Sequence, residues 1–269
     1  MSDRPLQRDD LVRDLRQRCA IRPGAILIVH ASLKAIGRVE GGAATVVAAL
    51  QEALTTSGTL LMPTFSHPTR DGVWRMADTP SRTGAVTEAL RTGAGAVRSL
   101  HPTHSVTAWG ARAGELTEGH ERTSGLGVGS PFHRAVEAGA DLLMIGCDLT
   151  SCSLVHVAEA LVRAPYLGRV FYDGYERDLT AFDRAGRQRA FPPVDVPTDS
   201  AGFVVVQQAL EKQRAIAHVG LGEAPCLRFT GRACLDAAVV LLRADPAALL
   251  CASPTCAVCI KARTIVRGG

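Results

Sequence analysis

Short unbroken apolar runs alternate along this chain with longer segments in which apolar residues recur every three or four positions. The runs Ala25–His30, Thr59–Met62, Ser105–Trp109 and Asp141–Gly146 have the length of strands in a central sheet. Helical spacing marks Leu11–Cys19, Ala43–Thr55, Gly84–Arg91, Phe132–Glu137, Ser153–Arg163, Gly202–Gln213 and Arg232–Arg243. In the second of these the apolar positions are Val46, Val47, Leu50 and Leu54. Ala31–Gly42 reads as a glycine-rich loop and Thr64–Ser81 as a long irregular segment of the kind that is functional or disordered. Residues 169–200 read as short strands and loops, and Pro254–Gly269 as a late strand or a partly disordered tail. Strand–loop–helix–strand order predicts an α/β fold. The expectation is a single domain over residues 1–269, a layered α/β/α sandwich around a central mostly parallel or mixed sheet.

Composition narrows the function. The 269 residues carry 30 Lys+Arg against 26 Asp+Glu, a net charge of +4 with histidine neutral. That excess is too small and scattered for a phosphate-binding stripe, and 4% aromatics is too few for base-stacking platforms, so no nucleic-acid partner is expected. No apolar run is long enough to span a membrane, and the polar start Met1–Asp10 has no secretory apolar region. A cytoplasmic protein, monomeric or homodimeric, is expected. Eight cysteines in a reducing compartment read as buried thiols rather than disulfides. Cys256–Ala–Val–Cys259, with Cys251 upstream, stands apart. A zinc site needs four ligands and no second pair follows, so a redox pair or a plain tail is preferred and no metal is expected.

Four segments carry candidate chemistry. His30–Ala–Ser32–Leu33, with Gly37 and Gly41–Gly42 before a helix, lies where α/β proteins collect ligands, beyond the carboxyl end of a strand. Its spacing matches neither common nucleotide fingerprint, and Glu40 opposes phosphate, so a plain strand-to-helix turn explains it as well. His101–Pro–Thr–His104–Ser105–Val106 sits on a bend. It reads as a loop hydrogen-bonded to a polar ligand, or as a proline turn with partly exposed histidines. Gly125–Leu–Gly–Val–Gly129–Ser130–Pro131–Phe132 offers amides to an anion, or simply starts a helix with Ser130 as cap and Pro131 in the first turn. In Ser151–Cys–Ser–Leu–Val–His156–Val–Ala–Glu159, His156 opens a helix after a buried strand and Glu159 follows one turn later. A histidine here can serve as a general base, since the positive helix end favours its neutral ring. A packing or capping histidine is the alternative.

In this order, these segments resemble the aminoglycoside 3-N-acetyltransferase family, an antibiotic acetyltransferase fold distinct from the GNAT enzymes. The series starts with Val29–Leu33, Gly41–Gly42, Met62–Ser66, Thr79–Gly84 and Arg98–Val106. It closes with Gly129–Phe132, Leu143–Gly146 and Ser153–Glu159. The stretch Gly222–Arg228 followed by Leu235–Asp236–Ala237 resembles the family's C-terminal loop and helix. The resemblance runs from about residue 8 to about residue 245.

It implies acetyl transfer from acetyl-coenzyme A to the 3-amino group of a 2-deoxystreptamine ring. His30, Ser32, Leu33, His104, Ser105, Val106, Gly129, Ser130, Pro131 and Phe132 would then line the coenzyme site. His156 takes the catalytic histidine's place. Its supporting carboxylate is Asp195 by preference, with Asp199 second and Glu159 as a rival. Thr150 stands where the family often has Asp, and Asp148 lies two residues earlier. Amides near Ser32–Leu33 would steady the oxyanion. Direct transfer is expected, with a ping-pong route through Cys147 or Cys152 as the alternative. A polycationic substrate calls for local acids among Asp71, Asp78, Asp148, Glu159, Asp199 and Glu223, with Asp148 and Glu223 preferred. A different amine substrate, or a non-catalytic coenzyme A-binding protein, would fit the same loops.

Overall fold

The computed structural model describes residues 4–66, 72–169, 178–191 and 198–268. Its strands are β1 (Ile26–Ala31), β2 (Thr59–Pro63), β3 (Val73–Arg75), β4 (Val97–Arg98), β5 (Val106–Gly110), β6 (Asp141–Ile145), β7 (Leu179–Phe182), β8 (Gln188–Phe191), β9 (Ala217–Leu221) and β10 (Ala224–Thr230). Its α-helices are α1 (Arg8–Gln17), α2 (Leu33–Ile36), α3 (Gly42–Leu54), α4 (Ala85–Thr92), α5 (Ala113–Thr117), α6 (Pro131–Glu137), α7 (Val155–Leu161), α8 (Val204–Lys212), α9 (Gly231–Ala244) and α10 (Ala257–Gly268).

Seven strands form one sheet in the order β4-β5-β2-β1-β6-β10-β9. The central trio is parallel, with Ile28 opposite both Leu61 of β2 and Leu142 of β6. The outer strands run antiparallel, so the sheet is mixed. Side chains alternate across it. Leu27, Val29, Leu60, Met62, Leu143 and Ile145 face one way, into a core with α1, α3 and α4. Ile28, Leu61, Leu142 and Met144 face the other, against α5 to α9. Because both faces are covered, the central strands read as unbroken apolar runs. The layered α/β/α arrangement is the one the hydrophobic pattern predicts. A second sheet, β3-β7-β8, packs around Trp74, Leu179, Ala181 and Phe191.

Three expectations are corrected. The tail forms α10 rather than a strand or a disordered end. Val258, Cys259 and Ala262 recur at helical spacing and bury one face against Ala164, Tyr166 and Leu250. Gly222–Arg228 is a hairpin turn and strand rather than a loop: β10 pairs antiparallel with both β6 and β9, which consumes its backbone hydrogen-bonding groups. The Ala31–Gly42 loop contains the one-turn helix α2, which sets Ile36 into the core. Among the described residues no helix is long and apolar enough to cross a membrane.

Candidate active site

The carboxyl ends of β1 and β6 lie side by side, with Ala31 opposite Ile145. From there β1 passes into α2. β6 passes through Gly146 and a 3-10 turn, Leu149–Ser151, into α7. Gly146 has φ +62°, and a Cβ there would lie 2.2 Å from Ala35 Cβ. Only glycine lets the end of β6 approach α2 this closely. The Gly146 amide also donates to Pro225 O (2.9 Å), tying the start of β10 to the same edge.

On α7, His156 and Glu159 face the same side. His156 Nδ1 lies 2.7 Å from Glu159 Oε2. An ionised carboxylate only accepts, so the ring carries its proton on Nδ1 and its lone pair on Nε2. Glu159 is fully buried and His156 is 8% exposed. The other carboxylate oxygen, Oε1, accepts from Tyr166 Oη (2.7 Å) and Thr198 Oγ1 (3.0 Å). Burial pushes the Tyr166 phenol far above its ordinary range, and the Glu159 charge pushes it further, so it stays a donor. Phe203 sets its edge against the imidazole, with ring centroids 4.6 Å apart. Among the described residues the carboxylate on His156 is Glu159. Asp195, preferred from the sequence, lies outside the described residues. Tyr166, Thr198 and Phe203 were missed; Tyr166 carried a faint signal, two helical turns beyond Glu159, but α7 ends at Leu161.

On the face of β1 that packs against α6, His30 is 5% exposed, 6.3 Å from the Phe132 ring. Its Nε2 is buried without a hydrogen-bond partner, as is Ser130 Oγ at the start of α6. Burial holds His30 down at about 4, so it is uncharged at neutral pH. Two orphaned buried polar atoms are uncommon and fit a ligand with amide or carbonyl groups. Pro131 and Phe132 are core residues of α6, and Gly129 is half-buried, its amide donating to His133 Nδ1 (3.2 Å). Ser32 and Leu33 are half-buried, and the Ser32 amide is taken by Ile145 O (2.9 Å).

The His101–Val106 segment is committed to the interior. The Ser105 hydroxyl donates to Thr64 O (2.7 Å) and accepts from Arg98 Nε (2.9 Å). Val106 is wholly buried. Arg98 also donates to the carbonyls of Met76, Thr79 and Thr64 and lies over the Trp74 ring. Burial pulls this guanidinium down to about 9, and it remains cationic at neutral pH. His101 Nδ1 accepts the His104 amide (3.0 Å), and His120 bridges Ser99 Oγ (2.7 Å) and Gly125 O (2.9 Å). Gly125 is required here, since a Cβ would come within 2.7 Å of the His104 side chain. His101 and His104, expected to be partly exposed or to hold a polar ligand, are buried. Sequence alone does not show that His120 packs against His101 and Phe65 against His104.

The acidic candidates divide. Glu223 is exposed on the β9–β10 turn, its carboxyl over Gly37, at the same edge as α2. Asp148 is exposed and accepts the Thr150 amide (3.0 Å), and half-buried Asp199 accepts the Ala201 amide (2.8 Å). These two cap 3-10 turns on either side of His156 in the sequence. Asp78 is exposed near Arg91, and Asp71 lies outside the described residues. Cys147 leans on His30 O (3.6 Å) with its thiol pushed up to about 12 by burial, and Cys152 is wholly buried.

Fold and site define a layered α/β protein that presents a buried histidine–carboxylate pair at the carboxyl edge of its parallel strands. Residues 28–243 match the family Antibiotic_NAT, aminoglycoside 3-N-acetyltransferase, and the chain belongs to it. Over 172 residues it is 38% identical to aminoglycoside N(3)-acetyltransferase III of Serratia marcescens, covering 57% of this chain and 64% of that one. The chain thus spans just under two thirds of the length of that curated relative. A His-to-Ala variant of aminoglycoside acetyltransferase AAC(3)-IVa, solved in complex with a gentamicin, superposes with a TM-score of 0.85 over 98% of this chain and 99% of its own. At 23% identity that likeness is one of fold. AAC-IIIb, solved as a binary complex with CoASH, is 25% identical, with a TM-score of 0.73 over 90% of this chain and 97% of its own.

Proposed function

We propose that this chain transfers an acetyl group from acetyl-coenzyme A to the 3-amino group of the 2-deoxystreptamine ring of an aminoglycoside. The transfer is direct, with His156 as general base. The observation that carries this reading is the His156–Glu159 contact, which leaves Nε2 as the ring's proton acceptor. The activity named for the Serratia marcescens relative and the CoASH held by AAC-IIIb support the choice of substrates.

An aminoglycoside amine in water is largely protonated and cannot attack a carbonyl. His156 Nε2 takes its proton, directly or through a water, and Glu159 stabilises the resulting imidazolium. Tyr166 and Thr198 keep the carboxylate from turning away. Such acid–base help is worth roughly 10²- to 10⁴-fold, with positioning adding more. His30 Nε2 and Ser130 Oγ are the free polar atoms for the amides of the pantetheine arm. With the Ser32 amide occupied, the Leu33 amide steadies charge developing on the thioester oxygen. Of the other expected coenzyme contacts, His104 and Val106 are buried and the Ser105 hydroxyl is committed to Thr64 and Arg98. Glu223, Asp148 and Asp199 supply negative charge for a polycationic substrate, most effectively at short range because salt screens charges. The thiol of Cys147, held protonated by burial, argues against a ping-pong route.

The test is a panel of amines assayed with acetyl-coenzyme A by release of free thiol. Turnover with 2-deoxystreptamine aminoglycosides, and none with analogues lacking the 3-amine, supports the assignment. Turnover confined to other amines would replace the substrate. Binding of coenzyme A without turnover of any amine would reduce the chain to a binding protein.

A further inference from the structure

Cys251, Cys256 and Cys259 lie about 90 residues or more beyond His156 in sequence and supply no reacting group to the proposed acetyl transfer. Their three sulfur atoms all lie within 4.8 Å of one another. Three thiolates on one ion at a metal–sulfur distance of about 2.3 Å would be about 3.8 Å apart in a tetrahedral site and about 4.0 Å apart in a trigonal one. The observed cluster needs to close by less than ~1 Å, within the reach of thiol rotamers.

The cluster is built by the fold. Cys256 directly precedes α10, and Cys259 is in its first turn. Cys251 arrives from the turn after Leu250, its carbonyl held by Arg263 (2.6 Å). Burial raises the Cys251 and Cys259 thiols, while the nearby amides of Ser253, at Cys251, and of Cys251 and Asp199, at Cys259, act in the opposite sense. Such donors stabilise metal-bound thiolates. From Pro246 to the last residue the chain carries Lys261, Arg263 and Arg267 and no carboxylate side chain. The opening turn of α10 adds its positive end. Cys251 and Cys259 are buried while Cys256 is half-buried, which leaves one side open for entry.

We propose that Cys251, Cys256 and Cys259 form a binding site for one thiophilic d10 metal ion, Zn(II) or Cu(I). Three thiolates complete a trigonal Cu(I) site; Zn(II) takes a fourth ligand from solvent. The thiols lose their protons to solvent as the ion binds, with no change of oxidation state. The ion ties α10 to the Leu250–Cys251 turn. The same apolar cluster contains Tyr166, the hydrogen-bond donor to Glu159. The site thus braces the far side of the His156–Glu159 pair. This departs from the reading of a redox pair or plain tail, because the third sulfur is in reach of the other two.

The experiment titrates the full chain, reduced, metal-free and under nitrogen, with Cd(II) as the spectroscopic stand-in for zinc, and separately with Cu(I) against a chromophoric chelator. The account predicts one ion per chain, a sulfur-to-metal charge-transfer band, and a raised melting temperature. Whichever ion wins the chelator competition is the one assigned. Cys256→Ser, at the least buried ligand, abolishes the band and weakens binding by more than ~100-fold, beyond the cost of losing an outer-shell partner. Cys147→Ser, half-buried elsewhere, leaves binding unchanged. The proposal is overturned if neither ion binds at one equivalent, or if Cys256→Ser retains the band. It is also overturned if thiol counting in a glutathione buffer finds a Cys256–Cys259 disulfide in a chain that binds no metal.

Discussion

Glu159 Oε2 accepts a 2.7 Å hydrogen bond from His156 Nδ1, one helical turn away on α7, and is wholly shielded from water. A buried carboxylate held by three donors fixes both the tautomer and the direction of the ring. Glu159→Gln keeps the size and an oxygen for Tyr166. Its amide can donate to Nδ1, which moves the ring proton to Nε2 and removes the base. We expect kcat to fall by roughly 10²- to 10⁴-fold with coenzyme A affinity unchanged. Steady-state kinetics beside calorimetric binding checks this, and a loss under tenfold contradicts it.

Tyr166→Phe removes one donor from the same carboxylate and leaves the ring packing intact. A hydrogen bond to a charged group contributes about 1.5–3 kcal/mol. The variant is expected to lose stability of that order in urea unfolding and to lower kcat more than it changes KM. A variant as stable as the parent would mean that water replaces the phenol.

Buried histidines set the acid limit of the fold. His30 and His120 are held at about 4 by burial, and His101 is also pushed well below its ordinary value. Unfolded, each returns to about 6.5 and binds a proton the folded chain refuses. The stability they contribute is therefore present above about pH 6.5 and is lost as pH falls toward about 4, by roughly 3 kcal/mol for His30 or for His120. The carboxylates with lowered values, Glu88 and Asp183 among them, lose their contribution only at lower pH. Melting temperatures across this window should fall steadily, and less so in His120→Asn. A flat profile would mean that these rings gain protons while folded.

Gly146→Ala tests the closeness of β6 to α2. Its positive φ and the 2.2 Å approach to Ala35 leave no room for a methyl group. The substitution should displace α2, cost on the order of 1–3 kcal/mol, and raise the KM for acetyl-coenzyme A more than that for the amine. Parallel KM measurements on the two substrates separate this from a general loss of stability.

The central strands and most helices were legible because burial on both faces leaves a continuous apolar run and burial on one leaves a period near 3.6. The i,i+3 spacing of His156 and Glu159 placed both on one face. Other features hang on contacts distant in sequence. Thr198 reaches Glu159 across 39 positions, and Arg98 reaches Thr64 across 34. His101 and His104 looked like ligand-holding side chains because no local pattern reveals that His120 and Phe191 pack against His101 and Phe65 against His104. β9 and β10 escaped notice because Gly220, Gly222 and Pro225 break their apolar pattern, although β10 is held on both edges. α10 was obscured because Cys256 and Cys259 match a redox or metal motif, although Val258, Cys259 and Ala262 already have helical spacing.

The most direct measurement is the rate of acetyl transfer from acetyl-coenzyme A to an aminoglycoside by His156→Ala, with coenzyme A affinity and melting temperature measured on the same sample. The account predicts a kcat loss of roughly 10²-fold or more, with coenzyme binding and folding preserved. Turnover within a few-fold of the parent would show that another group takes the proton.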